Sequence, residues 1–197
     1  MTFTILKTLE NYLTLRNHRR VRGSDGANYY VVDRNGWQAA AEILVKTRAG
    51  LLRLLDELDT KRKHQELPPT LESQILRLLR QFPQGRGIQL YEIDATVDES
   101  LAYTRNKTEG FFLCLRDKHG VLASPDSVLF LALHEFAHSA IPFYDPQRNG
   151  QTVHSEAFKQ LEMYFYEIAK ELQLLDPSTL PGRRHCNAIL VDPRSAM

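Results

Sequence analysis

A helix-forming segment with clear signals at both ends sets the strongest limit on how this chain folds. Ser124 can cap its first turn, and Pro125 and Asp126 suit the first helical positions. Pro142 ends it near Ile141. The residues between are mostly apolar, which is typical of a helix buried in a core. The sequence therefore predicts a domain in which other elements cover this helix on several sides.

Three polar side chains interrupt the apolar helix in the pattern HExxH, at His134, Glu135 and His138. Buried polar groups of this kind are costly unless they are paired or bound to a metal. Positions i and i+4 share one helix face, so both imidazoles can reach one ion. Glu135 projects beside them and is the predicted general base for a metal-bound water. The alternative is an exposed polar stripe on an amphipathic helix.

A catalytic zinc also needs a third protein ligand and one open position. His154 is our candidate, since it follows a polar loop and begins the next predicted helix, where the two helices can lie side by side. The rival is Glu156, which in a first helical turn is otherwise a solvated acid that favours the helix dipole.

The remaining pattern predicts an α+β fold. Helical spacing covers residues 37–62, 71–82 and a segment from about 152 to 175, and weaker spacing covers 3–16. Strand signals fall at 88–93, 101–105, 111–115 and 188–191. We expect a small, mainly antiparallel sheet packed on the HExxH helix and a second long helix. Residues 1–66 are interpreted as a helical N-terminal extension and residues 67–197 as the zincin-like domain.

Charge and cysteine content limit which partners and which cellular compartment we expect. The net charge of +1 does not indicate a nucleic-acid partner, and the basic run from Arg16 to Arg22 is interpreted as a solvated helix end. Cys114 and Cys186 lie in apolar runs and are predicted to be buried free thiols, which favours a reducing compartment. No segment has the apolar length of a membrane span or a signal peptide, so we expect an intracellular, soluble protein without a membrane partner.

Several of these segments together resemble a known family. Residues 133–138 followed by 154–158 are similar to the zinc site of SprT-like and WLM metallopeptidases, in which a third histidine opens a helix and a phenylalanine follows. Residues 103–107, 113–117 and the closing 185–189 also resemble WLM-like proteins encoded by large DNA viruses. The resemblance covers about residues 88–192.

The resemblance implies one Zn²⁺ per chain, with His134, His138 and His154 as ligands and Glu135 as the catalytic base. It also implies hydrolysis of peptide bonds in a protein or peptide substrate, and in cellular members the substrates are proteins crosslinked to DNA. Nucleic-acid contact, a cytoplasmic or nuclear location, and a virion location for a viral protein follow from the same analogy. The candidates for stabilising an oxyanion are Tyr103, Tyr144, Tyr164, Tyr166 and His185.

Two competing hypotheses remain open. The chain can be a non-catalytic metal-binding or scaffold module with a zincin-like fold. It can also be a peptidase that residues 1–66 hold inactive, in which case a chain beginning near Leu67 is more active.

Overall fold

A computed structural model describes residues 17–98, 100–104, 110–141, 154–176, 180, 184–186 and 188–189. The helix predicted over 3–16 lies outside these residues. Four helices are described: α1 (Trp37–Lys63), α2 (Glu72–Gln81), α3 (Pro125–Ala140) and α4 (Glu156–Glu171). A short 3₁₀ turn, Pro83–Gly85, follows α2. The strands are β1 (His18–Arg22), β2 (Asn28–Val32), β3 (Leu90–Glu92), β4 (Ala102–Thr104), β5 (Phe111–Leu113), β6 (Arg184–His185) and β7 (Ala188–Ile189).

Five strands form one sheet in the order β1-β2-β3-β5-β4, and β6 and β7 form a separate hairpin. The outer pairs, β1 with β2 and β4 with β5, are antiparallel. The inner pairs, β2 with β3 and β3 with β5, are parallel. Helices α1 and α2 lie between β2 and β3 along the chain, whereas β4 lies between β3 and β5. The α+β fold predicted from the sequence is confirmed.

The helices and the sheet share one hydrophobic core. Leu44 and Leu54 of α1, Ile75 of α2, Phe136 of α3 and Leu161 of α4 are fully buried and belong to the same cluster. The core therefore draws on residues from both sides of position 66, while the domain division predicted there stays a prediction. None of the helices in the described residues has the length and apolar content to cross a membrane.

Local capping explains where the two helices of the motif begin. Ser124 Oγ accepts the N–H of Ser127 at 3.2 Å, which confirms the predicted cap of α3. The next helix, α4, begins at Glu156, a few residues later than predicted. Ser155 is its N-cap, since the Ser155 side chain accepts the N–H of Phe158 at 3.3 Å. His154 therefore lies just before the helix and not within it.

The interpretation of the basic run as a helix end is wrong for the residues described. His18–Arg22 is a β-strand that pairs with β2. Val21 packs against the core, while Arg19, Arg20 and Arg22 are exposed. Pairing with β2, whose tyrosine and valine residues favour strands, outweighs the helical preference of this arginine-rich segment.

The prediction of free thiols is also wrong. Cys114 and Cys186 form a disulfide across 72 residues, and no free cysteine remains. Both are buried beside Ala95. Spacing along the chain could not reveal this pairing, because it depends on the fold bringing the C-terminal hairpin to the end of β5. The inference of a reducing compartment, which rested on free thiols, loses its basis.

Candidate metal centre

Three imidazoles meet where α3 lies beside the start of α4. His134 and His138 are one turn apart on α3, as the helical repeat requires. Their Nε2 atoms are 3.2 Å apart. His154 closes the group from the residue before the α4 cap, and one ligand atom from each of the three histidines lies within 4.8 Å of the others.

The phenyl ring of Phe158 underlies all three imidazoles. Its centroid lies 5.0 Å from that of His134, 4.4 Å from that of His138 and 4.7 Å from that of His154. Phe158 is 1% exposed. A buried ring restricts the rotations of the side chains packed on it, so Phe158 keeps the histidines as a group at the surface of the core.

The donor set fits a divalent transition metal such as zinc. Imidazole nitrogens bind zinc at about 2.0–2.1 Å in tetrahedral geometry, which sets neighbouring nitrogens about 3.4 Å apart. The observed 3.2 Å between the Nε2 atoms of His134 and His138 is close to this value. Among the described residues, no fourth ligand atom from a His, Cys, Asp or Glu joins these three. Three protein donors without a fourth are typical of catalytic zinc sites.

Glu135 lies beside the cluster with its carboxylate largely removed from solvent. It is 4% exposed. The Thr104 hydroxyl donates to Glu135 Oε2 at 3.2 Å. Burial raises the pKa of Glu135 above its ordinary value, and the hydrogen bonds from Thr104 and the charge of His134 oppose this rise only in part. A raised pKa makes a carboxylate a better proton acceptor.

The two candidates for the third position are separated by the fold. His154 joins the group. The residue is exposed as a whole, but the partial withdrawal of its ring from water, followed by the charge of His134, lowers its pKa, which favours the neutral imidazole that metals bind. Glu156 is exposed, and Glu156 Oε1 accepts a hydrogen bond from Gln160 at 3.4 Å. Glu156 is therefore a solvated acid in the first turn of α4, which was the alternative to a ligand role.

Sequence reasoning missed Glu162 and Thr104. Glu162 Oε1 lies 2.7 Å from His134 Nδ1. The signal available for Glu162 was its place on α4 beside the apolar positions Leu161 and Phe165, where an acid is unusual. Thr104 had no such signal, because strand β4 is short and its contact with α3 is long-range.

None of the described candidates for oxyanion stabilisation lies in this group. Tyr103 stacks on Phe112 at 4.8 Å, next to Thr104 in sequence but on the opposite face of the sheet. Tyr166 packs edge-on against Phe130. Tyr164 lies among charged residues that include Lys61. Tyr144 and the side chain of His185 lie outside the described residues.

No protein-family model matches the chain, and no curated protein matches it. A solved structure that is similar is the crystal structure of a mutant of Wss1 from S. pombe, with 17% sequence identity and a TM-score of 0.41. The similarity covers 70% of this chain and 90% of that chain.

Proposed function

We propose that this chain is a zinc-dependent peptidase in which His134, His138 and His154 hold the ion and Glu135 is the general base. The observation that carries the proposal is the meeting of three imidazoles beside a buried carboxylate. A set of three neutral donors leaves room for a reactant, whereas a structural site is closed by four. This favours an enzyme over a scaffold module.

These three histidines would hold a zinc ion, which when bound would supply Lewis-acid activation of water and of the substrate carbonyl. The chain's own part begins with Glu135, whose carboxylate accepts a proton from the attacking water and delivers it to the leaving amine. Thr104 orients that carboxylate through its hydroxyl. His154 is exposed and His134 and His138 are partly exposed, so a substrate reaches the group from solvent.

The position of the edge strand favours a peptide as substrate. Strand β4 ends the sheet. The Cys114 N–H donates to the Leu101 C=O, so the backbone groups of Leu101 face β5. In an antiparallel pair the direction alternates, and the backbone N–H and C=O groups of Ala102 and Thr104 therefore point away from β5, towards the open edge of the sheet. An extended peptide that adds to this edge runs past the carboxylate of Glu135, which Thr104 contacts.

The test uses the full-length protein, elemental analysis and a denatured protein such as casein as substrate. We expect one zinc per chain and cleavage that a chelator removes and zinc restores. Glu135→Gln should retain the metal but lower turnover by roughly 10²–10⁴-fold, since general acid–base catalysis contributes about that much. Glu167→Gln, an exposed acid on α4 that pairs with Lys170, is the matched control and should leave both properties unchanged.

Two results would overturn the proposal. One is a protein that takes up no metal. The other is a zinc-loaded protein that cleaves nothing, which would instead support a metal-binding scaffold. Equal cleavage by the wild type and Glu135→Gln would refute the role of Glu135 as general base.

The family resemblance alone suggests a substrate class, a partner and a location for this peptidase. Action on DNA-associated proteins, contact with nucleic acid, closeness to viral WLM-like proteins and an intracellular location stay predictions. We propose DNA-associated proteins as a preferred substrate class. The test compares the cleavage of a DNA-binding protein with and without added DNA.

A further inference from the structure

The carboxylate of Glu162 lies behind His134, at the ring nitrogen opposite the one that faces His138. The distance from Glu162 Oε1 to His134 Nδ1 is 2.7 Å, whereas His134 Nε2 faces His138 Nε2 at 3.2 Å. The side chains of His134 and Glu162 are 25% and 17% exposed, so both are mostly screened from water. One ring therefore makes two polar contacts, through opposite nitrogens.

These contacts determine which nitrogen of His134 carries the proton. An ionised carboxylate has no hydrogen to donate, so Nδ1 must be the donor in the contact with Glu162. In the neutral ring Nε2 then carries a lone pair, and this lone pair is directed at the cluster. Without Glu162, the ring is free to carry its proton on Nε2, where it blocks a metal.

From this arrangement we infer that Glu162 is a positioning residue that fixes the tautomer and orientation of His134 and so sets the affinity of the site for zinc. The inference rests on the proposed zinc site and assigns to it a residue outside the ligand set. A carboxylate behind a ligating histidine also raises the basicity of the ring and adds a negative charge near the cation. Loss of such a partner typically lowers metal affinity by about 10–100-fold.

The experiment measures zinc affinity by competition with a chelating dye, and the His134 tautomer in the metal-free protein by ¹⁵N NMR. His134→Gln identifies the His134 signal. We expect Glu162→Ala to weaken zinc binding by about 10–100-fold and to shift the ring away from the Nδ1–H form. Glu162→Gln keeps an acceptor oxygen without the charge, so its loss of affinity should be smaller.

Glu167→Ala removes an exposed acid from the same helix and should change neither measurement. The thermal midpoint of each metal-free variant checks that it folds. Equal zinc affinity in the wild type and Glu162→Ala, or an unchanged His134 tautomer, would overturn the role of Glu162. A wild-type protein that binds no zinc would instead refute the proposed function, and the NMR measurement would still decide whether Glu162 sets the tautomer.

Discussion

At the scale of single residues, Thr104 links the sheet to the proposed catalytic base. Its hydroxyl donates to Glu135 Oε2 at 3.2 Å, and its backbone also interacts with the carboxylate. The carboxylate projects from the buried helix α3, so this strand residue restricts its position. Accurate placement matters because a proton acceptor has to lie within hydrogen-bonding reach of the attacking water.

Thr104→Val removes the hydroxyl and keeps the shape of the side chain. We expect the rate of peptide hydrolysis to fall about five- to tenfold, the equivalent of one hydrogen bond of about 1 kcal/mol or slightly more. Thr104→Ser restores the donor and should recover most of the rate. Equal rates for the valine variant and the wild type would show that Thr104 does not orient Glu135.

Asp94 provides a test of pH dependence away from the metal centre. Burial alone would raise its pKa, but hydrogen bonds from Thr96 and the charge of Arg34 outweigh burial and lower it. A lowered pKa in the folded state stabilises the protein above the unfolded value of about 4, and this stabilisation is lost as the pH falls through the folded value.

Asp94→Asn should therefore lower the free energy of unfolding by about 1–3 kcal/mol at pH 7. The difference from the wild type should shrink as the pH falls below about 4. Urea denaturation at pH 7 and pH 3 measures both values. A difference that stays constant with pH would mean that the charge of Asp94 contributes nothing.

At the scale of elements, a buried ion pair connects the ends of three strands. Arg116 Nε and Nη2 donate to the two carboxylate oxygens of Glu92 at 2.7 and 2.9 Å. Arg116 also donates to the carbonyls of Asn35 and Val32, and the Val32 N–H donates to Glu92. The pair is 3% and 1% exposed, so β2, β3 and the segment after β5 are joined by charges without access to water.

Arg116→Met leaves the Glu92 carboxylate buried without a cation to balance its charge, although the Val32 N–H still donates to it. We expect the free energy of unfolding to fall by about 3–5 kcal/mol, and adding Glu92→Leu should recover part of the loss. Lys170→Met breaks an exposed pair with Glu167 and should cost less than about 1 kcal/mol. Equal losses for the buried and exposed variants, measured by urea denaturation, would contradict the importance of this connection.

At the scale of the whole molecule, the disulfide joins the C-terminal hairpin to the sheet. Reduction, or the double change Cys114→Ala and Cys186→Ala, should lower the free energy of unfolding by about 2–5 kcal/mol. A reductant should have no further effect on the double variant, which serves as the control. If the wild type unfolds at the same denaturant concentration with and without reductant, the bond does not stabilise the fold.

Because the core is shared, we expect the first 66 residues to be needed for folding. A chain that begins at Leu67 lacks α1 and β2 and loses the core residues Leu44 and Leu54. We expect this shorter chain to show no cooperative unfolding by circular dichroism. A folded and more active short chain would instead support the separate extension and the inhibitory role predicted from the sequence.

Features that depend on neighbours along the chain were predictable from the residue pattern alone. The apolar run, the Ser124 cap and Pro142 predicted α3 to within a residue. The i and i+4 spacing placed His134 and His138 on one face, because the helical repeat is a local property. The prediction that His154 would lie near them needed only that a helix returns beside α3.

The tertiary structure alone decided which distant groups meet. Glu162, Thr104 and the Phe158 ring contact the motif from α4 and β4, and the disulfide spans 72 residues. The pairing that makes a strand of His18–Arg22 is likewise set by β2. These contacts depend on how the elements pack around one core, and local residue patterns carry little information about that packing.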